Sequence, residues 1–347
     1  MLSEREKDIL ELIREKKSCA TGELYNAMNS SNPVSLATVK RDLKKLADNR
    51  LILPVGKGKT SRYILSPEYQ ILYPINIQEY FSKEIDARSI KENFNRELLR
   101  TILPEIRILS TEEQVKLRNL QSIFRDHVAE LGSCGYRKEM ERLAIDLSWK
   151  SSQIEGNTYT LLETERLLKE KKTASGKTKE EAIMLLNHKE AMDFILENPD
   201  VLIQPTISAV EDIHSILIKE LDVDRNIRSR RMGITGTNYR PLDNEFQILE
   251  AMRDMCKILK DRDVFEQAML SLLLISYIQP FMDGNKRTSR IVSNAILIGN
   301  GYCPLSYRTV DSSDFKMAVL LFYEQNNLSA FKEIFIDQYE FAVKSYF

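Results

Sequence analysis

The stretch IQPFMDGNKRTSR, residues 278–290, places a polar, positively charged turn between two strongly apolar segments. Gly284 permits a close backbone approach, and the turn precedes a predicted helix whose free N–H groups and positive dipole end attract anions. Asp283 is the one carboxylate there and is suited to holding magnesium. Three basic side chains follow: Lys286, Arg287 and Arg290. These residue types at this spacing predict a site for a nucleotide polyphosphate with its metal.

Two helices are predicted to hold this turn. The first, VFEQAMLSLLLISYI, can be capped by Asp263 and Glu266 and stops at Pro280. It is apolar on nearly every side, so it belongs at the centre of a helical domain. The second begins near Gly284 or Asn285 and ends at the glycines of residues 299–301.

Composition predicts an ordinary soluble protein of two or three domains. The 347 residues are 43% hydrophobic and carry a net charge of −1, so any nucleic-acid surface must be local. No signal-peptide pattern and no apolar run of membrane-spanning length is visible, which predicts a cytoplasmic protein without a membrane partner. The four cysteines are scattered and predict reduced thiols rather than a zinc site or disulfides. The predicted domains are residues 1–66, a helical connector over 67–144, and a helical domain over 145–347.

Residues 1–66 carry 13 basic and 8 acidic residues, an excess that favours DNA binding. Three helices followed by two strands around a Gly- and Lys-rich turn predict a winged helix-turn-helix. Ser3 with Glu6 caps the first helix, a second fits Thr21 to Met28, and Ser35 caps the third. An apolar stripe on the third helix is formed by Leu36, Val39, Leu43 and Leu46.

The opposite face of the third helix is predicted to enter the major groove, and the wing to contact phosphates. The face carries Thr38, Lys40, Arg41, Lys44 and Lys45, and the wing carries Lys57, Lys59 and Arg62. TVKRDLKKL in this helix resembles the DeoR-like winged-helix family. The alternative is a solvated basic face on a protein-interaction module. GKGKT in the wing is not a P-loop, because Leu53 stands where the first glycine is needed.

Two further segments stand out. In SSQIEGN, residues 151–157, Gly156 should end a helix, so the Glu155 carboxylate in its last turn opposes the dipole and calls for a cation. A solvated glutamate is the alternative. MGITGTNYRPLDN, residues 232–244, predicts a short hairpin or an extended loop.

The turn resembles the Fic motif, H-x-F-x-D/E-G-N-G/K-R-x-x-R. The matching residues are Pro280, Phe281, Asp283, Gly284, Asn285, Arg287 and Arg290. The resemblance implies an all-helical fold and transfer of AMP from ATP to a hydroxyl of a target protein. It further implies that Phe281 anchors the loop, that Asp283 holds Mg²⁺, and that the remaining motif residues from Gly284 to Arg290 contact the phosphates.

The resemblance extends to two other segments. The flap that docks the target is matched by Gly233, Ile234, Thr235, Gly236 and Thr237. Ser151, Glu155 and Gly156 match the inhibitory motif S/T-x-x-x-E-G/N, in which the glutamate pairs with the second motif arginine, here Arg290, and blocks the seat of the γ-phosphate.

Two departures from the motif matter. Gln279 replaces the histidine that serves as general base, and an amide accepts no proton at neutral pH. This replacement leaves three outcomes open: slow residual transfer, a different chemistry with another base, or a nucleotide-binding pseudoenzyme. Lys286 replaces the usual glycine, as in the Doc-like branch that phosphorylates its target. His188 and His214 are predicted to be packing residues.

The sequence therefore predicts a mainly α protein of bacterial type: an all-helical Fic-like domain with a short β-hairpin flap, preceded by a winged helix-turn-helix. The first hypothesis is an autoinhibited protein adenylyltransferase that uses ATP and Mg²⁺ on an unknown protein target. The alternative is a DNA-binding, nucleotide-sensing regulator with a catalytically dead Fic domain, and a second alternative is a Doc-like phosphotransferase. A homodimer is a further expectation, since winged helices commonly bind symmetric DNA sites.

Overall fold

The computed structural model describes residues 3–31, 34–56 and 61–347. The chain divides into two compact units, Met1–Pro74 and Ile75–Phe347. The predicted connector, residues 67–144, is not a unit of its own, since nearly all of it belongs to the second compact unit.

The first unit is a winged helix. Its three-stranded antiparallel sheet has the order β1-β3-β2, with Leu53 opposite Ile64 and Cys19 opposite Tyr63. The elements are α1 (Glu4–Lys16), β1 (Cys19–Ala20), α2 (Thr21–Ser31), α3 (Leu36–Asp48), β2 (Ile52–Val55), β3 (Arg62–Leu65) and α4 (Pro67–Leu72). This arrangement confirms the predicted winged helix-turn-helix.

Capping and burial explain why these residues form these helices. The Ser3 and Glu6 capping box opens α1, and the Ser35 side chain accepts from the N–H of Thr38 at the start of α3. Val39, Leu43 and Leu46 are buried in one apolar cluster that also contains Ile9 and Ile13 of α1. Leu36, predicted to share that stripe, is instead 42% exposed, because it is the first residue of α3 and lies beyond the edge of the core.

The second unit is helical. Its helices are α5 (Ile77–Phe81), α6 (Thr111–Ile154), α7 (Leu161–Glu170), α8 (Lys179–Glu197), α9 (Ile207–Leu217), α10 (Glu245–Lys260), α11 (Val264–Ile278), α12 (Asn285–Gly299), α13 (Ser312–Gln325) and α14 (Ser329–Tyr346). Every residue of α11 from Ala268 to Ile278 is buried, which makes this helix the centre of the unit. It packs against α10, α12 and α13, while α12 also packs against α6, α8 and α9.

The predicted boundary at residue 144 falls inside α6. The chain departs from helical geometry at Gly132, with φ 64° and ψ 179°, and then continues without a break to Ile154. The reason lies in the sequence, which has no glycine or proline between Tyr136 and Glu155 to end the helix. The end of the predicted connector and the segment that carries Glu155 are therefore one helix.

The predicted β-hairpin over residues 232–244 does not form; the alternative, an extended loop, does. The loop turns at Thr235 and Gly236, where φ is 91°. Its one ladder contact, a parallel bridge, joins Arg240 to Asn93 in the segment before α6, so the loop pairs with a neighbouring segment rather than with itself. Among the described residues, no helix is both long and apolar enough to cross a membrane.

Candidate functional site

The polar turn between α11 and α12 has a tightly constrained backbone. Gln279 ends α11 in the left-handed region, with φ 52°, and Gly284 precedes α12 with φ 80°. A Cβ at Gly284 would lie 3.3 Å from Ile218 Cγ2 and 3.4 Å from the His214 ring. Both the φ angle and the close packing therefore require glycine at 284.

Asn285 holds the turn together. Its Oδ1 accepts from the Phe281 N–H at 2.8 Å, and its Nδ2 donates to the Phe281 carbonyl at 2.7 Å and to Gln279 Oε1 at 3.0 Å. Gln279 Nε2 donates to the Ser276 carbonyl at 2.6 Å. The Gln279 side chain is buried, and both ends of its amide are hydrogen bonded within the loop. Because an amide takes up no proton at neutral pH, Gln279 cannot serve as a general base.

His214 on α9 packs against the same turn, where it contacts Phe281 and Asp283. Its ring stacks on Phe281 with centroids 3.6 Å apart and planes 3° apart, and its Nε2 lies 3.0 Å from the Asp283 carbonyl. A carbonyl only accepts, so Nε2 carries the proton. Burial lowers the pKa of His214 to about 4, which keeps the ring neutral at pH 7. The sequence identified His214 as a packing residue but gave no sign of this contact with the loop.

The two motif arginines are almost fully buried. Arg287 Nη2 lies 3.2 Å from Asp283 Oδ2, and burial lowers the pKa of Arg287. Arg290 donates from Nε to Ser151 Oγ at 2.8 Å and from Nη2 to the Ser151 carbonyl at 3.0 Å. Within the described part of the chain, Nη1 of each arginine is buried without an acceptor. Buried cationic donors without acceptors are costly, and an anionic ligand would satisfy them.

Glu155 lies opposite these arginines. It follows the last residue of α6, and Gly156 turns the chain with φ 101°. Glu155 Oε1 is 2.9 Å from Arg290 Nη2, and Oε2 is 3.6 Å from Lys286 Nζ. Burial alone would raise the pKa of Glu155, but the charges of Arg290, Lys286 and Arg287 outweigh it and leave this pKa below its ordinary value. The structure thus brings Ser151, Glu155 and Arg290 together.

A cleft of about 250 Å³ collects most of these groups. The turn forms one wall and the flap forms another. The lining residues are Glu155, Met184, Met232, Gly233, Ile234, Thr235, Gln279 and residues 282–287. Gly236 and Thr237, also predicted for the flap, do not line it, and Phe281 and Arg290 are buried behind it. The sequence does not identify Met184, Met232 and Met282 as lining residues, because their sequence pattern does not distinguish them from core methionines.

A larger cleft of about 940 Å³ lies elsewhere on the second unit, beside the α10–α11 junction. Charged groups in its lining are already paired with each other: Arg100 with Glu250 at 2.6 Å and Arg262 with Glu266 at 2.7 Å. None of the residues predicted for the nucleotide site lines it. The chemistry, rather than the volume, therefore identifies the smaller cleft as the candidate site.

The predicted DNA-binding residues of the first unit divide into two groups. Lys40, Arg41 and Lys44 on α3 are exposed, and Thr38 is half-buried with its hydroxyl 2.9 Å from that of Ser35. Two of the predicted contacts are already engaged within the unit: Lys45 with Glu6 at 2.7 Å, and Arg62 with Glu23 at 2.8 Å. Arg62 also donates to Ser18. Lys57 and Lys59 lie outside the described residues.

Comparison with known families agrees with this geometry. Residues 204–297 match the Fic/DOC family, and residues 5–55 match the DeoR-like helix-turn-helix domain. The chain carries a Fic/DOC domain. The Fic/DOC match covers α9 to most of α12, and so includes His214, the flap and the whole polar turn.

Relatives of the Fic/DOC domain carry a common name. The protein adenylyltransferase Fic of Nematostella vectensis is 27% identical over 263 residues, 68% of this chain and 58% of that protein. The protein adenylyltransferase Fic of Aedes aegypti is 29% identical over 166 residues, 45% of this chain and 32% of that protein. The chain thus spans about a third to three fifths of the length of these curated relatives.

A solved structure shows the same fold. The Fic-1 structure from C. elegans, residues 134–508, superposes with a TM-score of 0.59 at 20% identity and covers 68% of this chain and 72% of its own. The mainly helical Fic fold predicted from the sequence is thereby confirmed, apart from the hairpin in the flap.

Proposed function

We propose that the protein is a restrained Fic-type adenylyltransferase that transfers AMP from ATP to a Ser, Thr or Tyr hydroxyl of a protein target. The observation that carries this proposal is the pair of buried arginines, Arg287 and Arg290, whose Nη1 groups have no acceptor among the described residues beside the N-terminus of α12. A triphosphate supplies the anionic oxygens that these donors and the free N–H groups lack.

Magnesium fits the residues present. Among the described residues, no cluster of three or more His, Cys, Asp or Glu is arranged to hold a metal by itself. Mg²⁺ usually takes one or two carboxylates and completes its shell with water and substrate phosphates. Asp283 is 66% exposed at the edge of the cleft and would provide that carboxylate. When bound, the ion would neutralise phosphate charge.

Glu155 is the restraint in this proposal. One carboxylate oxygen pairs with Arg290 at 2.9 Å and the other lies 3.6 Å from Lys286 Nζ. A triphosphate would need both of these cations. A triphosphate must therefore displace Glu155 or bind in a register that leaves the γ-phosphate unsupported.

Gln279 makes the transfer slow. The target oxygen would attack the α-phosphorus, pyrophosphate would leave, and the hydroxyl proton would pass to water, since the buried amide of Gln279 accepts none. General base catalysis contributes typically 10²–10⁴-fold. Positioning by the arginines and charge stabilisation are independent of that base.

The test is labelling of the protein itself with α-labelled and, separately, γ-labelled ATP and Mg²⁺. The variants are Glu155→Gly, Gln279→His, the double variant, and the double variant with Arg290→Ala as the control without phosphate binding. We expect α-label in Glu155→Gly, more in the double variant, and none in the control. Label from γ-ATP alone would instead establish Doc-like phosphorylation.

A second candidate function is a DNA-binding regulator that senses nucleotide without turning it over. The hydrogen bonds at both ends of the Gln279 amide favour it, as does the DeoR-like domain. In that case calorimetry would show ATP binding to the wild type, label would appear only after Gln279→His, and ATP would change the affinity of the protein for a DNA duplex.

A further inference from the structure

A second cleft, of about 380 Å³, adjoins the candidate nucleotide site. Met232, the residue before the flap, lines both clefts, so the two clefts adjoin at this side chain. Its walls are the segment Asn93–Arg96 before α6, the loop after the flap from Arg240 to Asp243, and Gln247 in the first turn of α10. We call this cleft the arginine groove.

Positive charge dominates the lining of the arginine groove. Arg96, Arg231 and Arg240 line it, and Asp243 is the one acidic residue that does. Between positions 225 and 240 the sequence has five arginines and no acidic residue; of these, Arg231 and Arg240 line the groove, whereas Arg228 is buried. In a chain with a net charge of −1, such a concentration marks a local surface for an acidic partner.

Each of these arginines has an acidic neighbour, and all three pairs are solvent-exposed. The distances are 2.7 Å from Arg231 to Asp243, 3.2 Å from Arg240 to Glu92 and 2.9 Å from Arg96 to Glu250. Exposed pairs of this kind contribute little to stability. The arginines can therefore exchange these neighbours for the carboxylates of a partner at small cost.

The floor of the arginine groove is fixed by the core. The Phe94 ring stacks on Tyr277 with centroids 4.9 Å apart, and the N–H of Asn95 donates to the Tyr277 hydroxyl at 2.9 Å. The N–H of Arg240 donates to the Glu92 carbonyl at 2.6 Å. Tyr277 lies on the central helix α11, so the arginine groove is formed before any partner binds, which lowers the entropic cost of binding.

Two features favour an extended polypeptide as the occupant. In the described structure, the N–H groups of residues 232–235 take part in no hydrogen bond, so an extended segment beside the flap can pair with them. The Phe246 ring, next to the groove residue Gln247, is 79% exposed and offers an apolar contact at the rim.

We propose that the arginine groove binds an acidic segment of the protein target, next to the hydroxyl presented at the nucleotide site. This inference rests on the proposed function and specifies its target class: a protein segment in which Asp and Glu lie close in sequence to the modified Ser, Thr or Tyr.

The test measures binding and does not depend on transfer. Three fluorescent 12-residue peptides, each with one tyrosine, carry Asp and Glu, Asn and Gln, or Lys at the other positions, and their affinities for the full chain are measured by anisotropy. We expect the acidic peptide to bind best. The Arg231→Glu/Arg240→Glu variant should bind it about tenfold more weakly at low ionic strength, with little difference near 1 M salt. Arg231→Gln/Arg240→Gln should give a smaller loss.

Two controls locate the binding. Arg166→Glu reverses an exposed, ion-paired arginine on α7 and should leave the peptide affinity unchanged. Lys40→Glu/Lys44→Glu on α3 tests whether the peptide binds the winged helix instead. The ATP affinity of the Arg231→Glu/Arg240→Glu variant, measured by calorimetry, should equal that of the wild type.

Three results would overturn the inference: equal binding of the acidic and Asn/Gln peptides, a loss of binding with the α3 variant rather than the groove variant, or stronger competition by a single-stranded oligonucleotide of equal charge. These failures are separable from failure of the proposed function. That function falls if ATP does not bind or no label is transferred, whatever the peptides do.

Discussion

The two compact units handle positive charge in opposite ways. In the second unit, Arg287 and Arg290 are buried, fixed by neighbours, and left with donors that no described residue satisfies. In the first, Lys40, Arg41 and Lys44 on α3 are solvated. A buried cation has lost its water and depends strongly on its partners, whereas an exposed one loses little when a partner leaves. The difference is the one expected if the proposed nucleotide site is a specific anion site and the proposed DNA surface is a diffuse electrostatic one.

The largest expected effect follows from removing the most buried of these cations. Arg290→Ala leaves the Glu155 carboxylate, 20% exposed, without its closest partner and Ser151 without its donor. Loss of one member of a buried pair costs about 3–5 kcal/mol. We expect a destabilisation of that size in urea unfolding followed by circular dichroism, together with loss of ATP binding by calorimetry.

Two further variants sharpen this result. Adding Glu155→Gln to Arg290→Ala should recover part of the stability, because the unpaired charge disappears. Arg166→Ala, at an exposed arginine, should stay within about 0.5 kcal/mol of the wild type. A destabilisation below about 1 kcal/mol for Arg290→Ala would show that burial does not distinguish the two kinds of cation.

The second effect concerns pH. The pKa of His214 is about 4 in the folded chain, below its ordinary value of 6.5, so the unfolded chain binds more protons between these values. The stability from neutral His214 is thus complete above pH 6.5 and is lost as the pH falls toward 4, by roughly 3 kcal/mol. Burial lowers the pKa of His188 as well, which adds a loss of the same sign.

His214→Gln should flatten this dependence, because an amide does not titrate. The measurement is the free energy of unfolding from pH 7.5 to 4.5 for the wild type, His214→Gln and His127→Gln. His127 lies half-exposed on α6, and its variant controls for the loss of an imidazole elsewhere in the unit. Parallel curves for the wild type and His214→Gln would contradict the role of a neutral His214 beneath the loop.

A smaller effect is expected on the solvated face of α3. Lys40→Ala, Arg41→Ala and Lys44→Ala should each weaken binding of a DNA duplex by about 1 kcal/mol and reduce the slope of log affinity against log salt by about 1. Lys45→Ala should change the slope less, because Lys45 already pairs with Glu6. The measurement is anisotropy of a labelled duplex across salt concentrations; equal slopes for all four variants would remove the distinction.

The sequence predicted what depends on local rules. The Ser3, Ser35 and Asp263 caps, the apolar helix α11 and the glycine at 284 all follow from residue type and spacing, and the structure agrees. The pairing of Glu155 with Arg290 spans 135 residues. The resemblance to the inhibitory motif implies this pairing, and a carboxylate at a helix C-terminus independently favours a nearby cation.

What the sequence missed depends on tertiary contacts. The flap sequence favours a hairpin, but Arg240 pairs with the segment at Asn93 instead. Arg62 looks like a phosphate contact until Glu23, 39 residues earlier, is seen to hold it. His214 looks like a core histidine until its Nε2 meets the Asp283 carbonyl. Each of these partners is distant in sequence, so a local sequence pattern cannot predict the contact.

The smallest expected effect concerns Lys286, which is more exposed than the buried motif arginines and less exposed than the basic residues of α3. Lys286 is 31% exposed and lies 3.6 Å from Glu155, so in the proposed site its side chain would both hold Glu155 and offer charge to a phosphate. In the wild type, Lys286→Met removes both contributions, which oppose each other in ATP binding. In Glu155→Gly, only the phosphate contribution remains. Calorimetry should therefore show that Lys286→Met weakens ATP binding about twofold more in Glu155→Gly than in the wild type, a coupling of about 0.4 kcal/mol. Lys286→Arg keeps the charge and should show no coupling.

Equal losses of ATP affinity for Lys286→Met in the wild type and in Glu155→Gly would contradict this expectation. They would mean that Lys286 acts on the phosphate alone and that Arg290, the buried cation, restrains Glu155 by itself.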